Sequence, residues 1–488
     1  MLKIRWIWEF SGFIILGTLA VYAIGSVRSF GAKILILSAP LAGLVLLAAF
    51  SQAARSIATL LRSFTWWQAL WSLLFLSDLV LRLRDVQAMR ETPVDFWAAY
   101  RIVLVSTTAF VLLIRLALRQ TDWIRSLLQG LVGALAIYAL VSVASTFWSV
   151  YPAWTMYKSV EYLVDVALIA AILATVRSAQ AYKTLFDWTW VLFGAALVMV
   201  WVGTIAWPEE AFVPGGELLP VRIAGVLPAL DQNSVGEYAA FLAIVALTRL
   251  QFLTRGRGQV FYWMLLIFGL VTLVLSQTRA AIVGFLLGML LVLFLSKHRG
   301  VIALLALIAI LLFCLPNSAA DLRILWQRGE SLEGLQSFSG RLSMWDLAWT
   351  RFWERPLTGY GAYAGGKFVI GPLVESLGST NTLNTYVEIL LGASIWGLIP
   401  LLAALAGAWY MLVHAVHSAS PLQPLERQLS IEALGVLAIL TVRSFFSVPL
   451  IWHPALVFLL LVGYAEFLRR QCRRRRGTGM RTLTAIRR

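Results

Sequence analysis

Apolar residues run through this chain in blocks of about 20, each closed by a short polar or charged stretch. A helix of that length crosses the ~30 Å hydrocarbon layer of a bilayer, and backbone groups in lipid must bond within their own segment, so the blocks predict membrane-spanning helices. About fourteen are countable, centred near Leu16, Ala42, Leu74, Val105, Leu135, Ala167, Leu197, Leu242, Phe268, Leu287, Leu304, Leu401, Ala438 and Leu459. Trp67–Arg119 and Ile431–Leu468 divide in more than one way, so the expectation is an all-α integral membrane protein of about 12–14 transmembrane helices. The organisation reads as N-terminal helices 1–140, a helical core 141–315, a long loop 316–382, C-terminal helices 383–468 and a basic tail 469–488.

Composition agrees. Of 488 residues, 60% are hydrophobic and 13% charged, with a mean hydropathy of +0.81, against about 25% charged in a soluble domain. The 21 tryptophans suit headgroup zones, where an amphipathic ring meets both solvents. A net charge of +16 would suggest nucleic acid in a soluble protein, but no soluble domain is left to present a basic face. Cys314 and Cys472 are too few and too distant for a disulfide framework or a zinc site. Met1–Phe30 has a basic start and an apolar stretch without a clear cleavage site, which reads as a first membrane anchor.

Lys and Arg set the orientation, because they are retained on the cytoplasmic side. Arg469, Arg470 and Arg473 to Arg476 place the tail inside, where it meets anionic membrane lipids. Strict alternation then puts Arg55 and Arg62, Arg119 and Arg125, Arg177 and Lys183, Arg255 and Arg257, and Lys297 to Arg299 inside, with Lys3 and Arg5. Arg28, Lys33, Arg82, Arg84 and Arg90 fall outside, against the rule. The expected location is a bacterial inner membrane, multi-pass, with a periplasmic functional face. Four less apolar stretches face that side: Phe147–Trp154, Trp207–Asn233, Ser276–Arg279 and Pro316–Thr382. The last is too long for an idle connector and predicts a folded lid, with an amphipathic helix over Ser339–Glu354.

Those stretches carry an ordered set of motifs. They are Trp148-Ser149 with Pro152, Arg222 to Gly225 followed by Asn233 to Gly236, Ser276-Gln277-Thr278-Arg279, Ser339-Gly340-Arg341 with Trp345, Pro356, Gly359 and Gly361, and Asn384 to Glu388 with Gly397. Together, over about Leu140 to Leu401, they resemble the O-antigen ligase/polymerase family. The resemblance departs at one place. Ligases of the family carry a His-Asn pair after the lid, with the His held to be catalytic, whereas this chain reads Leu383-Asn384.

The resemblance implies a metal-independent C-type-like glycosyltransferase without cofactor, moving a glycan from an undecaprenyl-pyrophosphate carrier to a glycan or lipid A-core acceptor. Charge grows on the pyrophosphate as the anomeric bond breaks, and preorganised arginines stabilise it bidentately. Arg279 and Arg341 are the leading catalytic candidates; at helix ends they could also simply snorkel or be solvated. Arg222, Asn233, Asn384 and Trp148 are candidates for substrate binding, with helix capping the simpler role for both asparagines. The missing base could be Glu388, one turn beyond Asn384, or Asp231, Glu237 or His453. Gly359 and Gly361 read as turn formers. No metal-binding pattern is evident.

Three functions compete: a polysaccharide polymerase, an O-antigen ligase, and a lipid-linked sugar transporter. The last would use mid-helix charges such as Asp78, Glu161 and Asp165, but leaves the motifs unexplained.

Overall fold

The computed structural model describes residues 64–79, 94–118, 121–214, 219, 221–253, 257–296, 340–373, 381–417, 423–453 and 455–486. The expected spans at Leu16, Ala42 and Leu304, Glu217, Cys314 and residues 316–339 and 374–380 of the long loop lie outside them, as do the side chains of the tail beyond Arg473. Every other expected span centre falls in a helix. The protein is an all-α integral membrane protein. Phe96–Ala117, Gly130–Trp148, Ala179–Ala206, Gln232–Phe252, Gly258–Ser276 and Thr385–His417 are long and apolar enough to cross a membrane.

The chain forms two compact units. The larger holds residues 63–192 and 337–488. Its helices begin with α1 (Trp66–Asp78), α2 (Phe96–Ala117), α3 (Asp122–Leu127), α4 (Gly130–Ala144) with a 3-10 turn Ser145–Trp148, and α5 (Pro152–Thr175). Pro152 opens α5, where its fixed φ suits the first helical turn and its missing N–H costs nothing. α5 packs on α1 through α4. It therefore buries on most sides, which lets it carry Lys158, Glu161 and Asp165 inside the bundle. Helix α6 (Ala179–Ala206) is shared between the units, the division falling after Leu192.

The smaller unit holds residues 193–336 with 1–62. It contains α7 (Pro208–Ala211), a two-stranded antiparallel ribbon of β1 (Phe212–Pro214) and β2 (Val221–Ile223), α8 (Gln232–Phe252), α9 (Arg257–Ser276) and α10 (Arg279–Leu295). α8 is buried on nearly all faces between α9 and α10. Gly269 lets α9 approach closely, since a Cβ there would sit 3.0 Å from the Ala239 carbonyl oxygen and from Ala243 Cβ.

The larger unit is completed by α11 (Arg341–Glu354), two residues shorter than the helix expected over Ser339–Glu354, a wide turn Gly365–Ile370, α12 (Thr385–His417), α13 (Pro424–Ser444) and α14 (Leu456–Ile486). α12 is interrupted at Ser394, whose φ of 58° is left-handed.

Candidate functional site

In the smaller unit, the Ser276–Thr278 turn gathers three of the expected residues. Gln277 adopts φ 50° and turns its side-chain amide to the carbonyls of Leu219 (2.8 Å) and Val221 (3.1 Å). The Thr278 hydroxyl donates to the Gln232 carbonyl at 2.9 Å. Arg222, Asn233 and Arg279 each directly follow one of these bonded residues, so the turn pins them as neighbours. The glycine of the N-x-x-G element has a steric purpose: a Cβ at Gly236 would lie 2.5 Å from Ser276 Oγ and 2.7 Å from Thr278 Cβ.

Individual roles here differ from the simplest sequence reading. Asp231 caps α8, accepting the Ser234 N–H at 2.9 Å, while Asn233 is the second residue of the helix and its amide donates to Asp231 at 3.2 Å. The capping expected of Asn233 is corrected accordingly, because the aspartate is the first residue with extended backbone before the helix. Arg222 donates from Nε to the Pro214 carbonyl across the ribbon at 2.9 Å. Arg279 is the half-buried first residue of α10.

In the larger unit, the W-S-x-x-P element grips the lid. Trp148 Nε1 donates to the Thr358 carbonyl at 2.7 Å, the Val150 N–H donates to the Tyr360 carbonyl at 3.0 Å, and the Ala362 N–H reaches Ser145 Oγ at 2.9 Å. On its other side the lid fills the break in α12. The interruption at Ser394 withholds the usual helical donors from the preceding carbonyls; Tyr360 and Gly361 supply N–H groups to Leu391 and Gly392 instead, both at 2.9 Å. Gly359 (φ 67°) and Gly361 (φ 95°) make this sandwich possible, because left-handed backbone penalises a side chain. Ser394 itself bonds to the Pro356 carbonyl.

The lid helix is tied down at both ends. Its last turn is fixed by Glu354, which accepts from the Tyr360 hydroxyl at 2.6 Å and from Arg351 at 2.7 Å. The tyrosine hydroxyl foremost, then Arg351, hold the Glu354 carboxyl below the ordinary carboxylate range, while burial and the carboxylate push the Tyr360 phenol up to about 12. Near its start, Trp345 Nε1 donates to the Thr382 carbonyl at 2.9 Å. Arg341 is the half-buried first residue of α11, following Gly340 at φ 79°.

Asn384 caps α12, its Oδ1 accepting from Tyr386 (2.9 Å) and Val387 (3.1 Å) while its Nδ2 donates to the Phe445 carbonyl (3.2 Å). Glu388 is buried, accepts the Thr382 N–H at 2.9 Å, and has the Gly366 N–H as a second donor. Immediately before Asn384 sits Leu383 at φ 51°, its N–H on Asn381 Oδ1 at 2.8 Å. Its side chain packs against the apolar cluster of Met344, Ala348, Tyr360, Ile370 and Leu391.

The irregular segment 445–453 joins α13 to α14 and buries Val448, Leu450, Ile451 and His453. Five of its carbonyls take side-chain donors from three other helices and the lid: Phe445 from Asn384 (3.2 Å), Ser447 from Thr385 (3.0 Å), Leu450 from Tyr162 (3.1 Å), Ile451 from Tyr363 (3.2 Å) and His453 from Arg101 (3.0 Å). Non-helical backbone inside a membrane bundle demands such partners. His453 is itself held, with Nδ1 2.7 Å from Asp165 and Nε2 2.8 Å from Ser77. Arg101 also meets Glu161 through two nitrogens, at 2.8 and 3.2 Å, and Lys158 reaches the same carboxylate at 2.8 Å. Glu161 and Asp165 thus belong to separate buried pairs. The sequence reading missed Arg101 and Lys158; a basic residue inside an apolar span was the signal for Arg101.

The O-antigen ligase family profile matches residues 264–402, from α9 through the lid to mid-α12. No curated protein matches the chain. The matched segment contains Arg279, Arg341, Asn384 and Glu388 and supports a membrane glycan-transfer function. Over that segment the chain is similar to the O-antigen ligase family.

Proposed function

We propose that the protein is a metal-independent glycosyltransferase of a bacterial inner membrane. It moves a glycan from an undecaprenyl-pyrophosphate carrier to a second lipid-linked glycan at the periplasmic face, polymerising O-antigen or exopolysaccharide repeat units. Arg279 and Arg341 are assigned to stabilising the departing pyrophosphate, Arg222, Asn233, Asn384 and Trp148 to contacting substrate, and Glu388 to the catalytic set.

The observation that carries the polymerase reading is Leu383. Where ligases of the family have their histidine, this chain has a leucine in a left-handed turn, engaged with the lid's apolar cluster. An imidazole is absent there, and the apolar surroundings favour no other proton acceptor. The same family match favours transfer to a lipid A-core acceptor as the second reading.

Deletion of the gene, complemented by wild type, Arg279→Ala or Arg341→Ala, separates these on a glycan gel. Polymerase loss leaves single repeat units on the core, or removes a secreted polymer while lipopolysaccharide stays normal. Ligase loss leaves full-length polymer on the carrier and none on the core. Both arginine variants should be present in the membrane and behave like the deletion; wild-type glycan in either would overturn the assignment of that arginine.

A further inference from the structure

At the end of the larger unit remote from the lid, the helices line an open, basic cavity of about 380 Å³. Its lining includes Arg125, Arg177, Arg469, Arg470 and Arg473, with Asp122 as the single carboxylate among the described lining residues. Two of the arginines are pre-set. Fully buried Glu466 accepts from Arg469 at 2.6 and 2.7 Å and from Arg470 at 3.0 Å, and the Leu131 N–H also donates to it at 3.1 Å. Arg470 is held on its far side too, donating to Ser126 Oγ at 3.1 Å. Arg125, Arg177 and Arg473 are exposed, and none of them is ion-paired among the described residues.

The depth of this cavity is set by α5. Pro152 opens that helix beside the lid-gripping element, and Leu173, Ala174 and Val176 at its other end line the cavity. At ~1.5 Å per residue the separation is roughly 32 Å, the thickness of a bilayer's hydrocarbon layer. The arginines therefore stand at the opposite headgroup level from the lid. Guanidinium forks match phosphate oxygens bidentately, and the two held in place, Arg469 and Arg470, lose little entropy on binding.

We infer that this cavity binds a phosphate-bearing anion, either a phospholipid headgroup or a free phosphate compound. The inference concerns a site separate from the glycan-transfer reading and stands without it. The test uses the full-length protein, purified in detergent, and Arg177→Gln/Arg473→Gln, which spares the residues anchored to Glu466. Native mass spectrometry and thermal unfolding would be followed with phosphatidylglycerol, cardiolipin and phosphatidylcholine, and separately with inorganic phosphate and pyrophosphate. Selective retention of the anionic lipids, weakened about 30-fold in the double variant at ~1 kcal/mol per lost charge, identifies a headgroup. Binding of the soluble anions with the same loss, and no lipid selectivity, identifies a free ligand. Binding of neither, or equal binding by wild type and variant, overturns the inference. If the double variant unfolds several degrees lower without ligand, Arg125→Gln, at an exposed residue, replaces it, with about 5-fold weakening expected for its single lost charge and equal binding overturning the inference.

Discussion

Gly361→Ala is the sharpest perturbation the site offers, because its cost can be assembled from three separate observations. The first is backbone strain: at φ 95° an alanine pays about 1–2 kcal/mol. The second is collision. The added Cβ would run into Ser149 Oγ and Cβ and stand 2.8 Å from Ser149 Cα, so backbone as well as side chain must retreat. The third follows from that retreat. Ser149 Oγ lies 2.7 Å from Thr155 Oγ1 and accepts the Tyr151 N–H at 3.1 Å, while Gly361 donates to Gly392 at 2.9 Å. Losing most of these adds about 1 kcal/mol each. The expected total is about 3–5 kcal/mol, or roughly a 10 °C fall in midpoint for a body of this size.

Gly258→Ala is the internal control. A Cβ there has nothing within 4 Å, and the site is helical, so alanine should be neutral or stabilising by up to ~1 kcal/mol. Tryptophan-fluorescence melting of both variants in detergent, with complementation of a deletion strain, makes the comparison. Gly361→Ala should melt far below Gly258→Ala and lose glycan transfer. Equal melting points together with full complementation would show that the lid does not depend on its grip by the W-S-x-x-P element.

Three further outcomes follow from the same geometry. Arg101→Met should destabilise by about 3 kcal/mol, since it leaves Glu161 to Lys158 alone and removes the donor to the His453 carbonyl, and Arg101→Met/Lys158→Met/Glu161→Leu, which removes the whole charged group, should recover part of that loss in chemical denaturation. Gln277→Ala should cost about 2 kcal/mol through two lost carbonyl bonds, and Gln277→Gly less, because glycine relieves the φ of 50°; hydrogen exchange across residues 219–223 reads both. Glu354 has a depressed folded pKa, so its tie to Tyr360 is fully present above the unfolded value of 4.5 and is lost as pH falls through the lower folded value; fluorescence from Trp353 should report this below pH 4.5, and Tyr360→Phe should flatten the response.

Helical spans were readable because lipid leaves a long apolar segment no other option, and each expected centre among the described residues lies in a helix. Motif order was readable too, but not what the motifs do to one another. Gly361 and Ser149 are 212 positions apart by number, and nothing local says that one is shaped around the other. The break at Ser394 was hidden for a related reason. Serine inside an apolar run is unremarkable by pattern, and only the lid's N–H groups on Leu391 and Gly392 explain why the helix can stop there. The capping roles divided on a single neighbour: Asn384 has no better acceptor before its helix, whereas Asn233 follows Asp231. Arg101 and Glu161 lie 60 residues apart, so a pairing that neutralises both was invisible beside their separate hydropathy penalties.

The arrangement around position 383 bears on how transfer would proceed without the family's histidine. Glu388 is close by, but the Thr382 and Gly366 N–H groups both address its carboxylate, and Thr382 is held in turn by Trp345 from the lid helix. For Glu388 to accept a proton it would have to release the turn that positions Leu383 and Asn384. His453 is similarly engaged by Asp165 and Ser77. Rate enhancement then has to come mainly from the leaving side of the reaction, where pyrophosphate departs readily once its growing charge is met. Fixed cations deliver that stabilisation without reorganising at the moment of bond cleavage. The physical consequence is an asymmetry: in the proposed reaction the arginines should affect the rate steeply, while the acceptor hydroxyl would need orientation more than deprotonation. A rigid floor such as 445–453, with five carbonyls each clamped by a side chain from elsewhere in the unit, is the kind of support that orientation requires.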